Sequence, residues 1–314
     1  MVVRAGALDP DAPLYNTAAV VQRTGLAPAT FRAWERRYHF PRPFRTPTRQ
    51  RLYSERDIAA LRWLAEQTRQ GVAISRAVEI LRSGRASLAE TGAPARTRQY
   101  LDELRARLTE ALLGFDTERA ETILGEALAL FPFEDACMEL LVPMLVDVGE
   151  RWHAGTLSVA EEHFVSAFVR TRLSALMAVY SHDGRGPLVF AGAVEGELHE
   201  LGVLMLAVFL LRQGYLVRYL GPNLPAGSLR GPIERLRPAA LLLSCHAIEG
   251  LPELLAVADM LEALAPPRPV LIYGGRLFDR QPALRSRVPG RYAGPDARQA
   301  QEQIRGLLRP AAGR

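Results

Sequence analysis

The 314 residues include 39 basic and 34 acidic side chains, a formal +5, and 48% are hydrophobic. That excludes global disorder and leaves room for two or three domains with their own cores. Cys137 and Cys245 lie far apart with neither CxxC nor zinc-type spacing, which excludes a disulfide framework or a structural zinc site; with no secretion signal and no apolar run of membrane length, a cytoplasmic protein is expected. Every basic residue is Arg. Residues 1–85 carry 15 Arg against 7 acidic side chains, a formal +8, while the remainder is a formal -3. The front of the chain is therefore built for a polyanionic partner.

After a loose start with Pro10 and Pro13, Tyr15 to Val21 has a short helical pattern, capped at Asn16 or Thr17 and broken by Gly25. Pro28 opens a second helix through Phe31, Trp34 and Tyr38, whose other face carries Arg32, Arg36 and Arg37. Two short helices around a glycine turn, the second basic, describe a helix-turn-helix that reads the major groove. The segment Phe40 to Tyr53, with Arg42, Arg45, Arg49 and Arg51 among prolines and aromatics, suits a two-stranded wing on phosphates or in the minor groove. Ser54 then caps a helix from Glu55 to Gln70, and Gly71 to Arg82 supplies another.

The run Arg32-Ala-Trp-Glu-Arg-Arg-Tyr38, the proline-rich wing and Arg51-Leu-Tyr53-Ser resemble the winged-helix domain of MerR-family transcription regulators over about residues 15–83. Where relatives have Gly-Gly-His before Arg-Leu-Tyr, this chain has Thr48-Arg49-Gln50. The expected contacts to double-stranded promoter DNA are Thr30, Arg32, Arg36, Arg37, Tyr38, Arg45, Arg49, Arg51 and Tyr53.

Residues 84–98 lack sustained periodicity and read as a linker. Tyr100 to Leu113, Thr117 to Leu130, Phe133 to His153 and a helix from the capping box Ser158-Val-Ala-Glu161 to Tyr180 then make a four-helix bundle over 99–183. The corner between the last two helices gathers Trp152, His153, Glu162 and His163. A helix dipole explains an acidic residue there, but not an indole with two imidazoles.

From Pro187 strand and helix patterns alternate: Leu188 to Val194, Leu216 to Leu220, Ala239 to Cys245, Val270 to Tyr273 and a short strand near Tyr292, with helices between them. That predicts a flavodoxin-like, doubly wound domain over 187–314. No GxGxxG comes after the first strand, so a dinucleotide site is not expected. The loop there is instead Glu197-Leu-His199-Glu-Leu-Gly202, which places a histidine at the carboxyl edge of the sheet with a carboxylate two residues before it. A carboxylate on one ring nitrogen leaves the other as a lone-pair donor to a metal.

This ExHxxG loop, Ser244-Cys245-His246 and Gly274-Gly275 together resemble the DxHxxG, SxL and GG signature of cobalamin-binding domains, with Glu for Asp at 197 and His for the apolar residue at 246. The resemblance implies that His199 is the lower axial cobalt ligand and that the nucleotide tail slides into a slot lined by Gly202, Ser244, Gly274 and Gly275. Trp152-His153 with Glu162-His163 downstream is similar to the upper-face cap of light-responsive cobalamin repressors of the CarH type. That resemblance implies that Trp152, Val159, Glu162 and His163 meet the adenosyl group of adenosylcobalamin and that His153 can reach the cobalt after photolysis. The expected protein is a repressor and not an enzyme: a cobalamin-loaded tetramer on promoter DNA that light disperses. The alternatives are a MerR-type regulator of the same fold answering to another ligand, chromophore, oxygen or a partner protein, and a corrinoid carrier subunit of a methyltransferase.

Overall fold

The computed structural model describes residues 13–46, 50–69, 72–86, 95–180 and 186–308. Thr48 and Arg49 at the wing tip, residues 87–94 of the expected linker and residues 181–183 at the expected end of the bundle lie outside them. Internal contacts divide the chain into two compact units, Met1–Phe168 and Val169–Arg314. Among the described residues no helix is long and apolar enough to cross a membrane.

In the first unit, β1 (Tyr15–Asn16) leads into α1 (Thr17–Thr24), where the Asn16 side chain accepts from the Ala19 amide and Gly25 closes the helix at φ 68°. The expected helix from Tyr15 thus starts two residues later, because Tyr15 pairs with Tyr53 in a sheet. Next come α2 (Pro28–Tyr38), β2 (Phe44–Arg45), β3 (Arg51–Tyr53), α3 (Glu55–Arg69) and α4 (Ile74–Ala86). The wing is three-stranded, in the order β1-β3-β2, with β1 as the strand that the sequence pattern hid. Phe31, Tyr53, Ile58, Leu61, Leu64 and Leu81 are buried to 2% exposure or less and form the head's core.

The bundle is α5 (Ala95–Leu113), α6 (Thr117–Leu130), a broken third helix and α9 (Val159–Tyr180). Residues 84–86 and 95–98, expected in the linker, are helical, so the connection is shorter than composition suggested. The third helix consists of α7 (Phe133–Ala136), a π-turn at Cys137–Leu141 and α8 (Val142–His153). Pro143 has no amide proton to continue an α-helical ladder, and the Val142 amide reaches back to Cys137 instead.

The second unit holds a five-stranded parallel sheet in the order β5-β4-β6-β7-β8: β4 (Leu188–Val194), β5 (Leu216–Leu224), β6 (Ala240–Ser244), β7 (Val270–Gly274) and β8 (Arg291–Tyr292). Numbered within the unit this is 2-1-3-4-5, the flavodoxin-like order, whose switch point beside the first strand is where such sheets bind ligands. The helices are α10 (Leu201–Arg212), α11 (Ala226–Leu236), α12 (Leu251–Glu262), the short α13 (Arg276–Arg280) and α14 (Ala297–Leu307). Residues 203–211 of α10 are all buried, because the helix packs on the sheet and also against α14. Parallel register sets Ala193 beside Ser244 and Ser244 beside Gly274, so the motif residues of three strands end in one row.

Candidate functional site

The loop after β4 is tied down by hydrogen bonds within itself and to β5. Gly196 turns the chain at φ 78° and its amide donates to Asn223 Oδ1 at 2.8 Å, while the Asn223 amide donates to the Glu197 carbonyl at 3.0 Å. The Glu197 carboxylate, 4% exposed, then holds both neighbouring histidines. Oε1 accepts from the His199 backbone amide at 2.8 Å and from Nδ1 of the same residue at 2.6 Å; Oε2 accepts from the His246 amide at 2.6 Å. Burial pushes this carboxyl up, but the His199 and His246 hydrogen bonds outweigh it and hold it down at about 2. An ionised acceptor on Nδ1 puts the ring proton there and the lone pair on Nε2. The His199 side chain is 71% exposed, which leaves Nε2 open to a large group.

His246 stands 5.5 Å from His199, ring centre to ring centre, with Nδ1 3.0 Å from Ser244 Oγ. Burial lowers its pKa, which keeps it neutral. The adjacent Cys245 thiol is pushed up to about 12, by burial first and then by Glu197, so it stays protonated and inert.

Beside this pair opens a cavity of about 130 Å³ whose walls include Gly202, Ser244, His246, Gly274 and Gly275 over an apolar floor with Leu242 and Ile272. Gly275 sits at φ 120°, and a Cβ there would lie 2.1 Å from the Cys245 carbonyl oxygen. No residue but glycine fits that place. The four small residues predicted for the slot therefore do line one cavity. A corrin brings its own equatorial nitrogens, so one exposed imidazole beside an apolar cavity fits what such a group would need from the protein.

At the corner of the first unit, Ser158 and Glu161 form the predicted capping box: Ser158 N and Oγ each lie 2.7 Å from Glu161 Oε2, and the Glu161 amide donates to Ser158 Oγ. The structure sets the expected cluster as two pairs, one on either side of the turn at 154–158. The Trp152 and His153 rings are 4.7 Å apart; Glu162 accepts at 2.7 Å from His163 Nδ1 through one oxygen and from Ser166 Oγ through the other. Val159 and His163 are exposed.

On the winged head Arg32, Arg36, Arg37 and Arg45 are exposed, and Thr30 and Tyr38 are half-buried. One of the expected DNA contacts needs correction. Tyr53 is fully buried, its ring edge-on to Phe31 at 5.3 Å, because β3 is the central strand and one of its faces must form core. Arg51 is exposed, with its Nε 3.0 Å from Glu35. Asn223 and Tyr219 on β5 and Arg170 on α9 also hold this loop, through Gly196 and Glu200, and escaped sequence reasoning because no local pattern links them to the loop.

A family model described as MerR HTH family regulatory protein matches residues 15–84, and two models described as B12 binding domain match residues 104–177 and 187–301. The HTH-type transcriptional repressor CarH of Myxococcus xanthus is 38% identical over 237 residues, 74% of this chain and 79% of that protein. The repressor CarA of the same organism is 32% identical over 258 residues, 81% of this chain and 84% of its own. A monomethylamine corrinoid protein from Methanosarcina barkeri shares the fold with a TM-score of 0.56 at 15% identity, covering 66% of this chain and 99% of that one. The winged head, the B12-binding regions and the two repressors point the same way: the chain belongs to the CarH-type family of transcriptional repressors, cobalamin-dependent DNA-binding regulators and not enzymes.

Proposed function

We propose that this regulator holds promoter DNA as an adenosylcobalamin-loaded tetramer and releases it in light. The observation that carries the reading is the Glu197-His199 pair at the end of β4, next to a slot closed at Gly275 by a position that tolerates no side chain. In this reading His199 Nε2 would hold the cobalt, and Gly202, Ser244, Gly274 and Gly275 would receive the nucleotide tail. Trp152, Val159, Glu162 and His163 would meet the adenosyl group, and His153 would be a second imidazole for the cobalt once that group is gone. The cofactor supplies a cobalt-carbon bond that visible light cleaves; the chain supplies the imidazole, the slot and the corner that respond.

Release is a matter of avidity. Heads joined in one assembly bind with effective concentrations that separate heads lack, so dispersing the assembly weakens DNA binding by about 100-fold or more without altering a base contact. The exposed Arg32, Arg36, Arg37 and Arg45 supply the phosphate and groove contacts of each head. The test is the mass of the loaded protein and its affinity for an operator selected from random-sequence DNA, in the dark and after green light. A tetramer that falls to smaller species and loses the operator is expected. Unchanged mass and affinity after complete photolysis would reject light sensing and favour a regulator with another trigger.

A further inference from the structure

The residue after His199 is a second buried carboxylate, with no part in the ligand contacts proposed for cobalamin. Glu200 is 8% exposed. It occupies the N-cap position of α10, yet its side chain makes no cap hydrogen bond. A helix start favours Ser, Thr, Asp or Asn, whose short side chains satisfy the first amides. Glu200 instead reaches away from its helix. Its Oε1 accepts from Arg170 Nε at 2.5 Å, and its Oε2 accepts from the Tyr219 hydroxyl. Tyr219 is on β5 and Arg170 on α9. Burial, reinforced by Glu200 itself, raises the Tyr219 pKa, so its hydroxyl stays a donor.

We propose that Glu200 is a positioning residue: clamped by Arg170 and Tyr219, it anchors the carboxyl side of the His199 loop to β5 and α9 and sets where the imidazole stands. The loop's other side is already fixed by Glu197 and Asn223. Without the Glu200 clamp, the imidazole would hang between one fixed point and the uncapped start of a helix. Stability alone is a weak reason for the triad. The Arg170 side chain is 43% exposed, so solvent screens its attraction, and a buried ion pair contributes little once desolvation is charged against it. Geometry is what two directional donors on one carboxylate do provide. Helix α9 also carries Glu162 and His163 in its first turns.

The inference rests on His199 being the cobalt ligand, and its test separates the two claims. Full-length protein labelled with 15N-histidine is loaded with cob(II)alamin, and electron paramagnetic resonance reads the splitting from the axial nitrogen. A 15N imidazole gives a doublet, and added 14N imidazole that displaces it gives a triplet. The wild type should show the doublet and His199→Ala should lose it; a doublet that survives His199→Ala overturns the ligand assignment and the proposal with it. With the ligand confirmed, Tyr219→Phe and Arg170→Met should bind the same amount of cobalamin, yet lose half the doublet at about tenfold less imidazole, the usual cost of removing support behind a metal ligand. An unchanged displacement midpoint in both variants overturns the positioning role, whatever happens to thermal stability. Tyr219→Phe removes a single hydroxyl and carries the test if Arg170→Met fails to fold.

Discussion

Two stretches present exposed histidines of the candidate site, His199 in one and His153 and His163 in the other, and they are built differently. The loop at 195–200 is held at three residues by partners distant in sequence: Gly196 by Asn223, Glu197 by His246, and Glu200 by Arg170 and Tyr219. In the corner at 152–163 the observed side-chain partners are near neighbours: Trp152 with His153, Ser158 with Glu161, and Glu162 with His163 and Ser166. The first arrangement presents one imidazole in one pose with one tautomer. The second can repack by rotating side chains, without breaking long-range structure. Under the proposed function, a rigid floor at His199 and an adaptable corner are what a sensor needs if one axial bond must persist while the other is lost.

The contrast can be broken in four places. The largest effect is expected at the floor's edge: Gly275→Ala forces a methyl against the Cys245 carbonyl at positive φ and should cost about 3 kcal/mol or more, read by chemical denaturation. Next, Glu197→Gln removes the charge that orients His199 and should weaken cobalamin binding about 10- to 100-fold in a spectroscopic titration. At the corner, Ser158→Ala deletes the cap of α9 and should cost about 1 kcal/mol of stability while leaving the His199 loop untouched. The smallest change is expected for His163→Ala: about fivefold or less in adenosylcobalamin affinity, the worth of one exposed hydrogen bond, with hydroxocobalamin binding unchanged. If His163→Ala instead matched Glu197→Gln in effect, the corner would be as fixed as the floor and the contrast would be lost.

How much the sequence made legible depends on the range of each interaction. The 2-1-3-4-5 sheet could be read because parallel strands buried on both faces appear as apolar runs, and Glu197, His199 and Gly202 because they lie within six residues of one another. The capping box at Ser158 is equally local. Two-residue strands such as β1 carry too little pattern to be seen, and the Asn16 cap marked the start of α1 while the pairing of Tyr15 did not show. Tyr53 was misplaced for a related reason: an aromatic in an arginine-rich wing looks like a DNA contact until the third strand makes its own strand central. The clamp on Glu200 joins residues 30 and 19 positions away, and only the fold brings them together.

The most direct measurement is the absorption spectrum of the cobalamin-loaded protein set against that of His199→Ala at equal occupancy. Coordination by His199 predicts an imidazole-bound cobalt spectrum in the wild type that shifts in the variant to that of cobalt without a protein ligand. Identical spectra would contradict the assignment of that histidine and leave the trigger of this repressor elsewhere.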